Sequence, residues 1–191
     1  MERINTVNLM KTIGIIVIFC FLATNRDLFA SEVIKKEAKI FVEHATTDVT
    51  GVCKEINFEK FEILPQGKSY KLKSPFQITI PVTKIDSGDE DRDEHIQEIL
   101  GHPEHALIYI KVESILPNDQ NYIIKGKLTI HGRTKDFESI AKVENKEKNI
   151  ISTIGELEVT FSAYQLENPS LLFLKAKDQI KIKYNFDIKI K

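Results

Sequence analysis

Three histidines are the residues with the clearest chemical potential. His95, His102 and His105 lie within eleven positions, and imidazole is a common zinc ligand. Glu94, Glu98 and Glu104 add oxygen donors nearby. Their spacing, H-x6-H-x2-H across a helix end and Pro103, does not stack two rings one helical turn apart. The plainer reading is a solvated acidic cap, with a metal-dependent enzyme on His95, His102 and His105 kept as the alternative. His44 and His131 stand alone and read as structural. No G-x-S-x-G elbow, P-loop, G-x-G-x-x-G or H-E-x-x-H occurs, so the sequence motifs supply no catalytic centre, and neither a cofactor nor a bound metal is expected. Cys20 and Cys53 are the only cysteines, too few for a disulfide scaffold or a zinc finger. Lys plus Arg is 27 and Asp plus Glu is 28, so there is no global attraction for nucleic acid.

The elements that would hold these residues begin after a distinct N-terminal stretch. Arg3 and Lys11 precede an apolar run from Ile13 to Ala23, too short for the ~20 residues a spanning helix needs. Polar residues and then Leu28-Phe29-Ala30 follow, the pattern of a secretory signal peptide over residues 1–30, cleaved after Ala30. Cleavage removes three cations and two carboxylates, taking the formal net charge from -1 to -2. It also leaves Cys53 as the sole thiol, best read as apolar filler. The expected location is the periplasm, and residues 31–191 form one domain.

That domain reads as strand after strand. Ile180, Ile182, Tyr184, Phe186, Ile188 and Ile190 alternate with Lys181, Lys183, Asn185, Asp187 and Lys189. Successive strand side chains point to opposite faces, so this is one dry face and one wet one. The same period recurs from Phe76 to Val82, Ile108 to Val112, Tyr122 to Ile130, Phe137 to Val143 and Ile151 to Phe161. Weaker strands fit Ile40–Ala45 and Cys53–Leu64. Turn signals such as Pro65-Gln66-Gly67-Lys68 and His131-Gly132-Arg133-Thr134 separate them. About eight antiparallel strands with one apolar side must hide that side by closing into a barrel or splitting into a sandwich. One helix is expected at 91–100. Acidic residues open it, Ile96, Ile99 and Leu100 share one side, and Gly101 and Pro103 end it.

At this helix the chain resembles a known family. Ile85-Asp86-Ser87-Gly88, Arg92-Asp93-Glu94-His95 and His102-Pro103-Glu104-His105-Ala106 resemble the YceI family of exported bacterial proteins. So do the run from Gly126 to Lys135, which matches the family's G-x-L-T-I-H-G-x-T-K hairpin, and the stretches Glu167–Leu172 and Lys177–Ile180. The resemblance implies a closed, lipocalin-like, eight-stranded antiparallel barrel whose elongated apolar interior binds a polyisoprenoid chain. Such a protein would store or carry its lipid, with transient contact with membranes.

An eight-stranded barrel either fills its interior with side chains, which would make it a packed-core interaction protein, or keeps room for one ligand. With the hairpins centred on Gly132–Thr134 and on Glu147, Gly126 falls near Ala141, Ala141 near Thr153, and Ser139 near Gly155. That band of small residues reads as space. Tyr122, Ile124, Leu128, Phe137, Leu157 and Phe161 then form its walls, completing a predicted lining with Gly126, Ser139, Ala141, Thr153 and Gly155. Arg92, Arg133 and Lys135 are the candidates for meeting a phosphate or quinone head group.

Overall fold

The computed structural model describes residues 30–171 and 174–190. The expected signal peptide therefore lies, but for Ala30, outside the described residues. Among the described residues there are twelve strands and two α-helices. In chain order the strands are β1 (Glu32–His44), β2 (Val49–Cys53), β3 (Asn57–Phe58), β4 (Ile63–Gln66), β5 (Ser69–Leu72) and β6 (Phe76–Pro81). They continue with β7 (Leu107–Asn118), β8 (Asn121–Ile130), β9 (Arg133–Glu147), β10 (Ile150–Thr160), β11 (Ser170–Leu171) and β12 (Leu174–Lys189). Helix α1 is Glu90–Ile99 and α2 is Phe161–Tyr164; a 3-10 turn covers Val82–Lys84.

Ten strands join one antiparallel sheet. Nine follow the path β2-β1-β12-β10-β9-β8-β7-β6-β3, with β11 paired onto β12, while β4 and β5 form a hairpin of their own. The expected closed eight-stranded barrel is thus replaced by a curled sheet whose ladder path stays open between β2 and β3. The reason lies in the length of the elements at the seam: β2 has five residues and β3 two. An isolated bridge instead ties β2 to the segment that follows the 3-10 turn, Val52 N donating to the Asp86 carbonyl at 2.8 Å and Asp86 N to the Val52 carbonyl at 2.9 Å. Lower on the same side, Ser31 N donates to the Phe61 carbonyl at 2.8 Å and Ile63 N to Ser31 Oγ at 3.0 Å. These bonds stitch the edges without a continuous ladder, and they occupy edge groups that would otherwise invite pairing with another chain.

Alternation dictates the faces. In β8, Tyr122, Ile124, Gly126, Leu128 and Ile130 are buried, while Asn121, Lys125 and Lys127 are exposed. The long hairpins have two-residue turns. His131 and Gly132, both at positive φ (50° and 70°), link Ile130 to Arg133. Positive φ at both positions is the type I′ geometry that matches strand twist. This turn is tighter than the one centred on Gly132–Thr134, so the register moves. Gly126 pairs with Phe137, and Ala141 pairs with Tyr122 on one side and Gly155 on the other. Thr153 pairs with Val143, and Ser139 with Ile124.

Helix α1 begins one residue before the expected start and ends one before the expected end. Asp89 caps it, its Oδ1 accepting from Arg92 N at 2.9 Å, and Glu90, Asp91 and Asp93 complement the positive end of the helix dipole. Gly101 ends it at φ 85°. Half-buried Ile96, Ile99 and Leu100 pack on the barrel core, yet no residue of α1 is fully buried.

Candidate functional site

The dry side of the curled sheet encloses a cavity of about 580 Å³. That size falls within the ~300–1,000 Å³ of small-molecule sites. Aliphatic residues from every long strand build its wall. Ile40 and Val42 come from β1, Ile78 and Ile80 from β6, and Ile108, Ile110, Val112 and Ile115 from β7. Val143 comes from β9, Leu157 and Val159 from β10, and Ile180, Ile182 and Ile188 from β12. An aromatic group backs one side. Phe61 stacks on Phe76 at 4.4 Å between ring centroids, Phe58 meets Phe186 edge-on at 5.2 Å, and Tyr184 stacks on Phe186 at 5.3 Å.

Both ends carry covers. At one, α1 presents Arg92, His95, Ile96 and Ile99 to the cavity, followed by its C-cap Leu100, beside His44 at the end of β1 and Thr46 and Thr47 of the β1–β2 turn. At the other, Ile63 and Tyr70 of the β4–β5 hairpin join the lining. This hairpin is pinned by Tyr70, whose backbone N donates to Tyr122 Oη at 3.1 Å and whose hydroxyl donates to Asn145 Oδ1 at 2.6 Å.

Of the residues singled out from sequence, Tyr122, Ile124, Leu128, Phe137, Thr153, Leu157 and Phe161 line the cavity. Gly126, Ser139, Ala141 and Gly155 do not, and the picture of that band as open space is corrected. A Cβ on Gly126 would sit 1.9 Å from the Lys111 carbonyl oxygen and 3.0 Å from the Phe137 ring. A Cβ on Gly155 would sit 2.2 Å from Tyr184 Oη. The small residues are seats for a neighbouring strand's backbone and for an aromatic ring. Strands beyond the three expected from sequence also line the cavity. The walls from β1, β6, β7 and β12 carry the same period-two signal, which would have found them.

The polar residues separate likewise. Arg92 reaches the cavity mouth, with Asp89 3.8 Å from its guanidinium. Arg133 and Lys135 are exposed on β9 and do not line the cavity. The three histidines do not converge. His95 faces Glu98 at 3.6 Å, whereas the His105 ring packs edge-on against His131 at 5.0 Å. Among the described residues no group of three or more His, Cys, Asp or Glu could hold a metal ion. His44 is engaged locally, with Nδ1 2.8 Å from Thr46 Oγ1 and Nε2 2.9 Å from the Leu174 carbonyl.

Two tyrosine hydroxyls are unusually sheltered. Burial pushes Tyr164 up to about 12, and pushes Tyr184 up to about 12 against the opposing effect of its hydrogen bond with Ser139. Both stay protonated at any physiological pH, and Tyr184, the one of the two that lines the cavity, presents a neutral phenol to it. Burial also pushes the Cys53 thiol up. The site is therefore a hydrocarbon-lined container with its permanent charge, Arg92, at one rim.

A curled antiparallel sheet around such a container defines a lipocalin-like fold. Residues 32–188 match the YceI-like domain, and the chain belongs to that family. Solved structures share the fold at low identity. Burkholderia cenocepacia BcnA superposes with a TM-score of 0.67 at 18% identity, over 80% of this chain and 95% of that one. A polyisoprenoid binding domain from Saccharophagus degradans, implicated in plant cell wall breakdown, gives 0.66 at 11% identity, over 85% and 99%. The YceI protein of Campylobacter jejuni gives 0.53 at 16% identity, over 70% and 82%. No match was found among curated proteins.

Proposed function

We propose that this protein is an exported carrier that holds an apolar isoprenoid chain, of polyprenyl or prenyl-quinone type, inside its curled sheet. The observation that carries this reading is the 580 Å³ cavity walled by Ile, Val, Leu and Phe side chains. Each methylene-sized group moved from water into such a wall gains ~0.8 kcal/mol, so a prenyl chain is held strongly against water. Against a bilayer the gain nearly vanishes, because the tail is already dry there. The role is accordingly storage or transfer through the periplasm. The charged start and short apolar run within residues 1–30 supply the export route. The structural likeness to the polyisoprenoid binding domain of S. degradans supports the choice of ligand class. The reading is of a binding protein rather than an enzyme, because the wall is dominated by hydrocarbon side chains and its charged and imidazole groups, Arg92, His44 and His95, sit at one end.

The test is native mass spectrometry of the protein purified from its own cell envelope, joined to titration with a fluorescent prenyl probe. A co-purifying apolar molecule and saturable probe uptake are expected. Ligand-free protein that also fails to take up the probe overturns the reading. Fractionation that finds the mature protein in the cytoplasm overturns the export part alone.

A further inference from the structure

We propose that Tyr184 sets how much chain the cavity accepts, with Gly155 and Ser139 as its positioning residues. This rests on the isoprenoid-carrier reading above and deepens it.

Tyr184 lines the cavity. Its phenol end lies across Gly155, so close that a Cβ there would be 2.2 Å from Oη and 2.4 Å from Cζ. Gly155 pairs with both Tyr184 and Ala141, so the ring fills what the small residues vacate. The hydroxyl is tied to the wall as well. Ser139, 1% exposed, donates to the Glu156 carbonyl at 2.8 Å and sits 2.8 Å from Tyr184 Oη. Ser139 has one proton and it is committed to Glu156, so Tyr184 is the donor in the second bond. Stacking on Phe186 fixes the ring's other side.

These contacts make the ring a fixed part of the wall. Swinging it aside for an incoming hydrocarbon would strip the Tyr184 hydroxyl of its bond to Ser139 in apolar surroundings, leaving Ser139 only its bond to Glu156. An aliphatic residue at this position would carry no such tether. The ring is thus a fixed stop whose volume is subtracted from the room for ligand, and two substitutions should move that volume in opposite directions. Tyr184→Ala removes the ring and opens the space against Gly155 and Ala141. Gly155→Ala pushes the ring off its seat toward the lumen.

The experiment measures affinity for a ladder of all-trans prenyl alcohols, from two to eight isoprene units, with native protein, Tyr184→Ala, Gly155→Ala and Tyr184→Phe. Circular dichroism and melting verify each fold. Relative to native protein, Tyr184→Ala should shift the best-bound length upward, with at least about a tenfold gain for the next longer chain over the native optimum. Gly155→Ala should shift it downward by a similar factor. Tyr184→Phe keeps the ring but cuts its tie to Ser139, so it should shift the optimum upward by less than Tyr184→Ala does. If Tyr184→Ala does not fold, Gly155→Ala and Tyr184→Leu decide. An unchanged length profile in folded variants overturns the inference while leaving the carrier reading intact. Native protein that binds no member of the ladder removes the carrier reading and this inference with it.

Discussion

Gly126→Ala separates the two ways of reading the small-residue band, because they predict opposite signs. If Gly126 faced open lumen, a methyl group would be harmless. Alanine would then stabilise the fold by ~0.4–1 kcal/mol by restricting the unfolded chain. The structure instead puts the new Cβ 1.9 Å from the Lys111 carbonyl oxygen. That obstacle is backbone in β7, next to the register shift between Val112 and Ser114, so rotating a side chain cannot relieve it. The Phe137 ring at 3.0 Å blocks a second direction. Forcing extra volume into a packed site costs about 1–3 kcal/mol, and a backbone obstacle places this case at or above the upper end. For a domain of this size each kcal/mol lowers the melting temperature by ~2–4 °C. A fall of roughly 6–12 °C is therefore expected by differential scanning calorimetry, with a matching drop in the urea midpoint. A variant as stable as native protein, or more stable, would refute the assignment of Gly126 to strand contact.

Three further outcomes follow from the same geometry. Lys146 Nζ donates to Asp187 Oδ2 at 2.7 Å, which holds that carboxyl below the usual carboxylate range and its own ammonium above the usual lysine range. The carboxylate's contribution is complete above its unfolded pKa of ~3.9 and is lost as pH falls through the lower native value. Asp187→Asn should melt below native protein at pH 7, and the gap should narrow in melts taken below about pH 4. Cys53 is 1% exposed with a thiol that burial pushes up, so it should resist iodoacetamide in the native state and react promptly in guanidinium, as read by peptide mass. Asp89→Ala removes the cap of α1, at a cost of about 1 kcal/mol. Because α1 covers one cavity end, bound prenyl probe should also exchange faster in stopped-flow displacement.

Strand content was readable where one face is dry and the other wet. In β12 five apolar residues alternate with charged or amide residues from Ile180 to Ile188, and β8 and β10 behave alike. The first half of β1 was missed because Lys36 and Ala38 stand where the alternation asks for large apolar residues, and a register shift between Val33 and Lys35 breaks the period. The stretch Cys53–Leu64 reads as one weak strand but divides among the ends of β2 and β4 and the two-residue β3. No local pattern announces such short pieces, because their backbone groups are satisfied by distant partners such as Ser31 and Asp86. The site was legible in kind, an apolar interior, but not in detail. A two-residue turn at His131-Gly132 in place of a longer one moves the partner of Gly126 from Ala141 to Phe137. Whether a glycine marks a void or a seat depends on what lies opposite, and Tyr184 comes from β12, two strands away from Ser139.

The central claim is that the hydrocarbon-lined cavity is where a prenyl chain resides. Its most direct test is a crystal structure of the protein with a prenyl alcohol carrying bromine at the tail, located by anomalous scattering. The account predicts a bromine peak inside the sheet, in van der Waals contact with wall residues such as Ile40, Leu157 and Ile182. A peak confined to the outer face of the sheet, with the interior free of ligand in protein that demonstrably binds the alcohol, would contradict it.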